Sequence, residues 1–408
     1  MRATMLPMSA VCTLDRAMLQ AFGLQWVRPT LQQRDEAAVF EPALWLRLAA
    51  TGLFASARRG SAVEAAQALA GLAEGGLDLP LALSAAAQWI GVFLLHSFGN
   101  TAQKARYLDA AISGECILAV CNSEQETGTK LRAMRSSVVP NSDGGYLLSL
   151  RKSAASNLPL ATAALCSAWK YGDDSVAALE QTPNGLPKMS LEVFLVPVVP
   201  PLQVDSHVGQ LAGFRTGLTG ALSLPSPMPL LVEDTQLGPD HSGVRILRSC
   251  FHLERLLIGA LISGGIDGIF QDCVQHLTQR EAREPQFAQN QYVQEKITLV
   301  YSLSQRVAGI WRLIEDALLQ GSEAADMAAK LEHLSALLGV LKLTAVEDGL
   351  QAAETAYELH GYAGYHRASL SQKLHRDLLA FKMLGGSKEL MKISLFRDLR
   401  TSWERSSA

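Results

Sequence analysis

The chain is short of cysteine, of aromatic residues and of charge bias, and each shortage removes a class of protein. Six cysteines in 408 residues form no CxxC pair and no regular spacing. That argues against a disulfide scaffold or a thiolate metal site, and it fits a compartment where thiols stay reduced. Lys and Arg number 36 against 39 Asp and Glu, a formal charge of −3. The basic residues are scattered, so there is no electrostatic case for nucleic acid or an anionic membrane surface. Long uninterrupted apolar runs are missing too. The longest, Pro80 to Leu95, is broken by Ser84 and Gln88 and is short for a membrane span, so a buried helix is expected there. One early Arg, Arg2, and then Asp15 in the first amphipathic stretch do not make the charged start and apolar block of a signal peptide. The expectation is a cytoplasmic protein without a membrane segment or a metal.

What is present is a large supply of aliphatic side chains. Hydrophobic residues make up 48% of the chain and aromatics only 6%, enough to bury a sizeable core across two or three domains. The texture changes twice. Up to about residue 115, Ala- and Leu-rich segments such as Pro42–Leu53, Ser61–Ala73 and Pro80–His96 alternate with Gly-bearing breaks, a helical pattern. Between 116 and 240 the runs are short and β-rich, at Cys116–Cys121, Gly145–Leu150, Ala163–Trp169 and Leu191–Val199, split by the turn cluster Asn141–Gly145 and the Pro-rich Pro225–Pro229; a small β-barrel is expected. From 241 to 408 long periodic stretches dominate, at Ile246–Thr278, Gln291–Gln320 and Glu323–Leu359, as in a helical bundle. The fold class is α+β in three domains, 1–115, 116–240 and 241–408.

One segment carries the most information: Glu358 to Leu390 reads ELHGYAGYHRASLSQKLHRDLLAFKMLGGSKEL. It resembles the C-terminal signature of the acyl-CoA dehydrogenase family, a Q-x-x-G-G turn followed by an R-D pair and an E-G-T ending. Gly361, Gly364, Tyr365, Arg376 and Asp377 fall in register. The resemblance implies that the turn at Gly361 holds the pyrophosphate of FAD and that Ser387 keeps the hydroxyl of the ending. The family's proton-abstracting Glu is replaced by Gly385. Asp377 is read as structural, holding Arg376. His360, His366 and His375 are open to either cofactor contact or ordinary surface roles.

Other segments resemble the family in the same order. Ala43–Ser56, ALWLRLAATGLFAS, is similar to its L-W-x-x-L-A-x-x-G-L-F element, and Cys121–Leu131, CNSEQETGTKL, to V-T-E-P-x-A-G-S-D-L. This implies Ser123 at the flavin pyrimidine edge, Gly128 in the cofactor loop and Thr129 beside the substrate thioester; Gln125 and Lys130 depart from the pattern. Arg151–Ala161, RKSAASNLPLA, resembles R-K-x-W-I-T-N-G. Ser156 is thereby placed near the hydride-accepting nitrogen, and Ala154 stands where the family commonly has Trp. Arg280–Lys296, REAREPQFAQNQYVQEK, is similar to R-x-Q-F-G-x-P-I-x-x-F-Q-x-V-Q-x-K. The implied roles are cofactor contacts from Arg280, reaching the FAD of a neighbouring subunit with its paired donors, and from Gln291. Arg283-Glu284, Glu358 and Tyr362 are departures.

A base is therefore needed elsewhere. In Phe251–Phe270, FHLERLLIGALISGGIDGIF, Glu254 has Cys250, Phe251, Leu257 and Ile258 as its neighbours three and four positions away, and none is basic. A carboxylate on an apolar stripe is costly unless paired or protonated, the environment of a tuned acid or base. The Leu253–Leu256 run also resembles that of relatives with the base on this helix, the isovaleryl-CoA and carrier-protein-bound prolyl types. Pairing with Arg245 or Arg248, or burial at a subunit interface, is the alternative for Glu254. His252 is read as a packing or surface residue. Taken together, the resemblance implies α,β-dehydrogenation of an acyl thioester on FAD, with Glu254 as base, the Gly385 amide on the thioester oxygen and Arg255 at the substrate. The thioester is carried by coenzyme A or a carrier protein, the electron acceptor is electron-transferring flavoprotein or oxygen, and the assembly is a homodimer or homotetramer. The rival is a protein that keeps the fold without redox chemistry, as an assembly subunit or in other thioester chemistry.

Overall fold

The computed structural model describes residues 14–127, 131–172, 189–320 and 327–406. The N-terminal part is built from α1 (Arg16–Phe22), α2 (Leu31–Ala37), α3 (Pro42–Ala49), α4 (Ala62–Gly76), α5 (Leu79–Phe98) and α6 (Thr101–Ser113). Local chemistry sets the ends: Asp15 and Asp78 cap α1 and α5 through their carboxylates, and Asn100 and Gln103 form a reciprocal capping box at α6, each occupying otherwise unpaired helix N–H groups.

Helix α5 is almost wholly buried. The run expected as a core helix is one, although at 20 residues it is longer than the sequence pattern indicated. It and α7 (Gly243–Glu281) are long and apolar enough to cross a membrane by length and composition, yet both are mostly enclosed by the protein. The buried Gln88 of α5 donates to Ala111 O and Cys116 O, both at 2.8 Å, and accepts from Leu118 N at 2.8 Å. A single amide thus pins the helix to the first strand.

The β region contains β1 (Leu118–Cys121), β2 (Ser137–Pro140), β3 (Tyr146–Ser149), β4 (Arg151–Ser156), β5 (Ala163–Tyr171), β6 (Met189–Pro197), β7 (Gln203–Ser206), β8 (Thr219–Ser223) and β9 (Met228–Leu230). The expected small barrel takes the form of two sheets. One has the order β1-β5-β2-β3-β9 with β6 also on β5, and the other has β4-β8-β7. A shared core of Leu148, Leu150, Ala155, Phe194 and Leu222 joins them. Residues 163–168 of β5 are all buried, since both faces of this strand are covered.

The C-terminal part consists of α7, α8 (Gln291–Leu319), α9 (Met327–His333), α10 (Ser335–His360), α11 (Leu370–Phe381) and α12 (Lys388–Ser406). The single stretch expected between 323 and 359 is two helices meeting at Leu334. Helix α7 also packs on α4, where backbones meet closely: a Cβ on Gly264 would lie 1.9 Å from Ala70 O; α4 in turn meets α1 as closely, a Cβ on Gly71 lying 2.0 Å from Arg16 O. No other residue type fits these crossings, and through them one hydrophobic core runs from the N-terminal helices into the bundle.

Buried charges tie the same parts together. Arg34 pairs with Asp78 at 2.6 Å, Thr216 Oγ1 donates to Asp78 at 2.5 Å, and Lys373 pairs with Asp377 at 2.5 Å. The reading of Asp377 as the residue holding Arg376 is overturned. Asp377 accepts from Lys373 and from Phe214 N at 2.7 Å, whereas Arg376 pairs with Asp35 at 2.6 Å and donates to Ala212 O. Neighbours in a helical sequence point about 100° apart, so adjacent Arg and Asp side chains serve different elements.

Candidate functional site

A cavity of about 960 Å³ opens where α5, the end of β1, β4, α7 and the turn after α11 converge. Apolar side chains Leu83, Ala86 and Ile90 of α5 line one wall. Asn122, Ser123 and Glu124 follow β1, and Ser153 to Ser156 come from β4. The two polar segments are held together by the Ser153 N–H donating to Ser123 O at 2.9 Å. Behind them, buried Glu124 accepts from Arg135 N at 2.7 Å, Ser136 N at 3.1 Å and Lys152 Nζ at 2.9 Å.

Strand β4 is irregular by design of its neighbours. Its register to β8 shifts between Lys152 and Ala155, and Ala154 takes a left-handed φ of 52°. Asn157, buried just beyond, donates to Ser84 O and Leu118 O, which locks this bulge against α5 and β1. A bulge of this kind re-aims side chains, and Ser153, Ala154 and Ser156 all border the cavity.

Glu254 enters from α7. It is half-buried at the wall of the cavity, and desolvation there pushes its carboxyl up from 4.5 to about 7, with Arg255 and Lys342 opposing the rise. A carboxylate away from water is destabilised relative to the neutral acid. Burial likewise pushes Lys342 down to about 8, aided by Arg255 and opposed by Glu254. The pairing partners considered for Glu254 serve elsewhere: Arg248 meets Glu332 at 3.3 Å, and Arg245 lies over the ring of Phe98. His252 is buried.

Opposite this helix, Met383 to Ser387 complete the wall. Gly385 and Gly386 have φ values of 67° and 98°, and a Cβ on Gly385 would stand 2.8 Å from Ile258 Cδ1. The left-handed backbone disfavours any side chain at this position, and one would also have to displace the flexible tip of Ile258, one helical turn after Glu254.

Of the residues anticipated from sequence, Ser123, Ser156, Glu254, Arg255, Gly385 and Ser387 come together here. Gly128 and Thr129 lie outside the described residues. Arg280, Gln291 and Gly361 do not line the cavity; they occupy the end of α7, the start of α8 and the end of α10. Glu358, whose negative charge is out of place beside a phosphate, is ion-paired with Lys296 of α8. His360 pairs with Asp272 at 3.1 Å and packs on the His276 ring. Sequence reasoning missed Asn122, Lys342 and Arg397. Lys342 had a signal, a cation inside the apolar Leu338–Leu341–Ala345 stripe.

The donor set suits a planar heteroaromatic cofactor such as FAD. Ser123, Ser153 and Ser156 offer hydroxyls, and Asn122 Oδ1 and Arg255 Nε are buried without a hydrogen-bond partner. Buried polar atoms are rarely left in this state unless a ligand or water completes them. Among the described residues no group of three His, Cys, Asp or Glu is placed to hold a metal.

Comparison with known proteins gives two family matches: "Acyl-CoA dehydrogenase, N-terminal domain" over residues 14–115 and "Acyl-CoA dehydrogenase, C-terminal domain" over 241–399. Together they cover more than half of the chain. Mitochondrial isovaleryl-CoA dehydrogenase of Oryza sativa subsp. japonica is 26% identical over 306 residues, 74% of this chain and 68% of the relative. Among solved structures, PigA with FAD and proline shares 18% identity with a TM-score of 0.77, covering 97% of this chain and 99% of that one. The prolyl acyl carrier protein oxidase AnaB shares 22% at a TM-score of 0.77, covering 94% and 97%.

Proposed function

Because the chain belongs to the acyl-CoA dehydrogenase family, whose members are FAD-dependent oxidoreductases acting on CH–CH bonds, we propose that it desaturates an acyl or aminoacyl thioester between the α and β carbons with Glu254 as base. The observation that carries the reading is a carboxyl pushed up to about 7 at the wall of the cavity, opposite a glycine turn whose left-handed backbone disfavours a glutamate there. When bound, FAD supplies the acceptor for the β-hydride. The α-proton leaves its carbon for the Glu254 carboxylate, and the electron pair left behind forms the new double bond as the hydride departs. A base with a proton affinity close to the working pH is the effective choice for such a transfer.

The other residues divide between substrate and cofactor. The backbone N–H at Gly385 is suited to the thioester oxygen, where negative charge develops as the proton is lost, and Arg255 adds positive charge beside it. Ser123 and Ser156 would hold the flavin ring, and Ser387 and Gly361 would serve the cofactor's polar chain. Arg280, Gln291 and Gly361 stand apart from the cavity, which supports a cofactor shared between two copies of the chain in a homodimer or homotetramer. The likeness to an isovaleryl-CoA dehydrogenase and to a prolyl carrier protein oxidase supports a substrate on a pantetheine arm, with electrons passing to electron-transferring flavoprotein or oxygen.

The test is an anaerobic visible spectrum of the purified protein, titrated with acyl-CoA and acyl or aminoacyl carrier-protein thioesters. Parent protein is expected to carry flavin absorbance that bleaches with a matching thioester. Glu254→Gln should keep the absorbance and bleach at least about 100-fold more slowly, the scale of a general base. Folded but colourless protein, or rapid bleaching by the variant, overturns the reading.

A further inference from the structure

Lys342 is almost fully buried, 1% exposed, on α10 at the edge of the site. It is placed there by a close helix crossing: a Cβ on Gly259 of α7 would lie 2.5 Å from Leu341 Cγ, so Leu341 packs into the space that Gly259 leaves. The next residue, Lys342, is carried under the C-terminal turn. Its ammonium donates to Gly386 O at 2.6 Å and makes no ion pair among the described residues. Its Cε would be 3.9 Å from a Cβ built on Gly385. A buried cation with one backbone acceptor is expensive, because an apolar side chain of the same length would avoid the desolvation.

We propose that Lys342 is a positioning residue for the proton-transfer step: its hydrogen bond fixes the Gly385–Gly386 turn across from Glu254, and its positive charge favours the carboxylate that must exist before the proton is taken. The inference rests on the reading of Glu254 as the base. The two groups are electrostatically coupled, each shifting the other toward its charged form. The remaining charged neighbours are Arg255 on α7, itself faced by Glu332 and Asp398, and Glu124, Arg132 and Arg397 on the other walls; the Cys250 thiol one turn away is titratable, but burial pushes it up and keeps it neutral. Of the cations, Lys342 alone is hydrogen-bonded to the glycine turn among the described residues.

The experiment is an infrared pH titration of the purified protein, in which the Glu254 carboxyl band is the one absent from Glu254→Gln. Lys342→Met removes the charge, its desolvation cost and the donor to Gly386 O at similar volume. Lys342→Gln removes the charge and keeps an N–H donor. Both variants are expected to move the Glu254 midpoint upward by about one pH unit, the lower scale for loss of a nearby opposite charge. Below that midpoint kcat should fall about tenfold with KM changed by less than about twofold, and Lys342→Gln should keep more of kcat above it because the turn stays anchored. A purely structural lysine would leave the midpoint in place. An unmoved midpoint in both variants overturns the inference, even if the parent turns over every thioester tried; a moved midpoint in a protein that bleaches with none leaves it standing while the proposed activity fails.

Discussion

Replacing Glu254 by Gln separates what the site does for chemistry from what it costs the fold. In the unfolded chain this carboxyl titrates near 4.5, and in the folded protein near 7. Between those values the folded state binds the proton and the unfolded state does not, so stability falls as pH rises through this window. At 1.36 kcal/mol per pH unit the full penalty for carrying an ionised Glu254 is about 3 kcal/mol, of which about 2 kcal/mol develops between pH 5 and 7.5. Gln has the same shape and no charge to desolvate. Urea denaturation should therefore show the variant more stable by less than about 1 kcal/mol at pH 5 and by about 3 kcal/mol at pH 7.5. Lys342, pushed down to about 8, titrates just above this range, which is why the comparison stops there. The same ionisation predicts that kcat of the parent rises with pH through about 7, as the base loses its proton. Parallel urea midpoints across the whole range would refute the claim that folding raises the Glu254 carboxyl to about 7.

Three further outcomes follow from the geometry. Gly385→Ala forces a Cβ into a left-handed position 2.8 Å from Ile258 Cδ1; a loss of about 1–3 kcal/mol is expected by denaturation, and adding Ile258→Val should recover only the steric part. Asp377→Ala leaves the Phe214 N–H without its acceptor and buried Lys373 with only Asp78, 3.7 Å away, as counter-charge, a loss of about 3–5 kcal/mol that the same measurement would read, whereas Arg376→Ala, which removes the contacts of a less buried side chain with Asp35, Gln372 and Ala212 O, should cost less. Gly264→Ala drives a methyl to 1.9 Å from Ala70 O and should separate α7 from α4, seen as aggregation on expression or as a urea midpoint lower by more than about 3 kcal/mol.

How much of this was legible in the sequence depends on the range of the interactions involved. The helices were readable because their apolar positions recur with the helical period within one segment, and α5 declares itself by a run of aliphatics in which the amide of Gln88 finds buried backbone partners. Strands β1, β3, β5 and β6 were located to within a few residues, but the other strands were not, nor the arrangement into two sheets, since parallel pairing of β1 with β5 joins residues some 45 positions apart and the intervening chain does not encode the pairing. The vacant position at 385 and the unexplained carboxylate at 254 were visible as composition. So was the relation between them, a carboxylate missing at one place and unexplained at another; what the sequence did not show is that the 383–387 turn and Glu254 border one cavity, with Ile258 of the same helix against the turn. The partner of Asp377 was misjudged for the same reason: adjacency along the chain suggested Arg376, while the helix turned the carboxylate toward Lys373 four residues earlier. Charged side chains inside apolar stripes are therefore the most useful marks in such a sequence, because burial makes each of them need a partner that only the folded chain can supply. Glu254 and Lys342 are two such marks from helices 88 residues apart, and Gly259 is what allows their helices to meet closely enough for the two charges to influence each other.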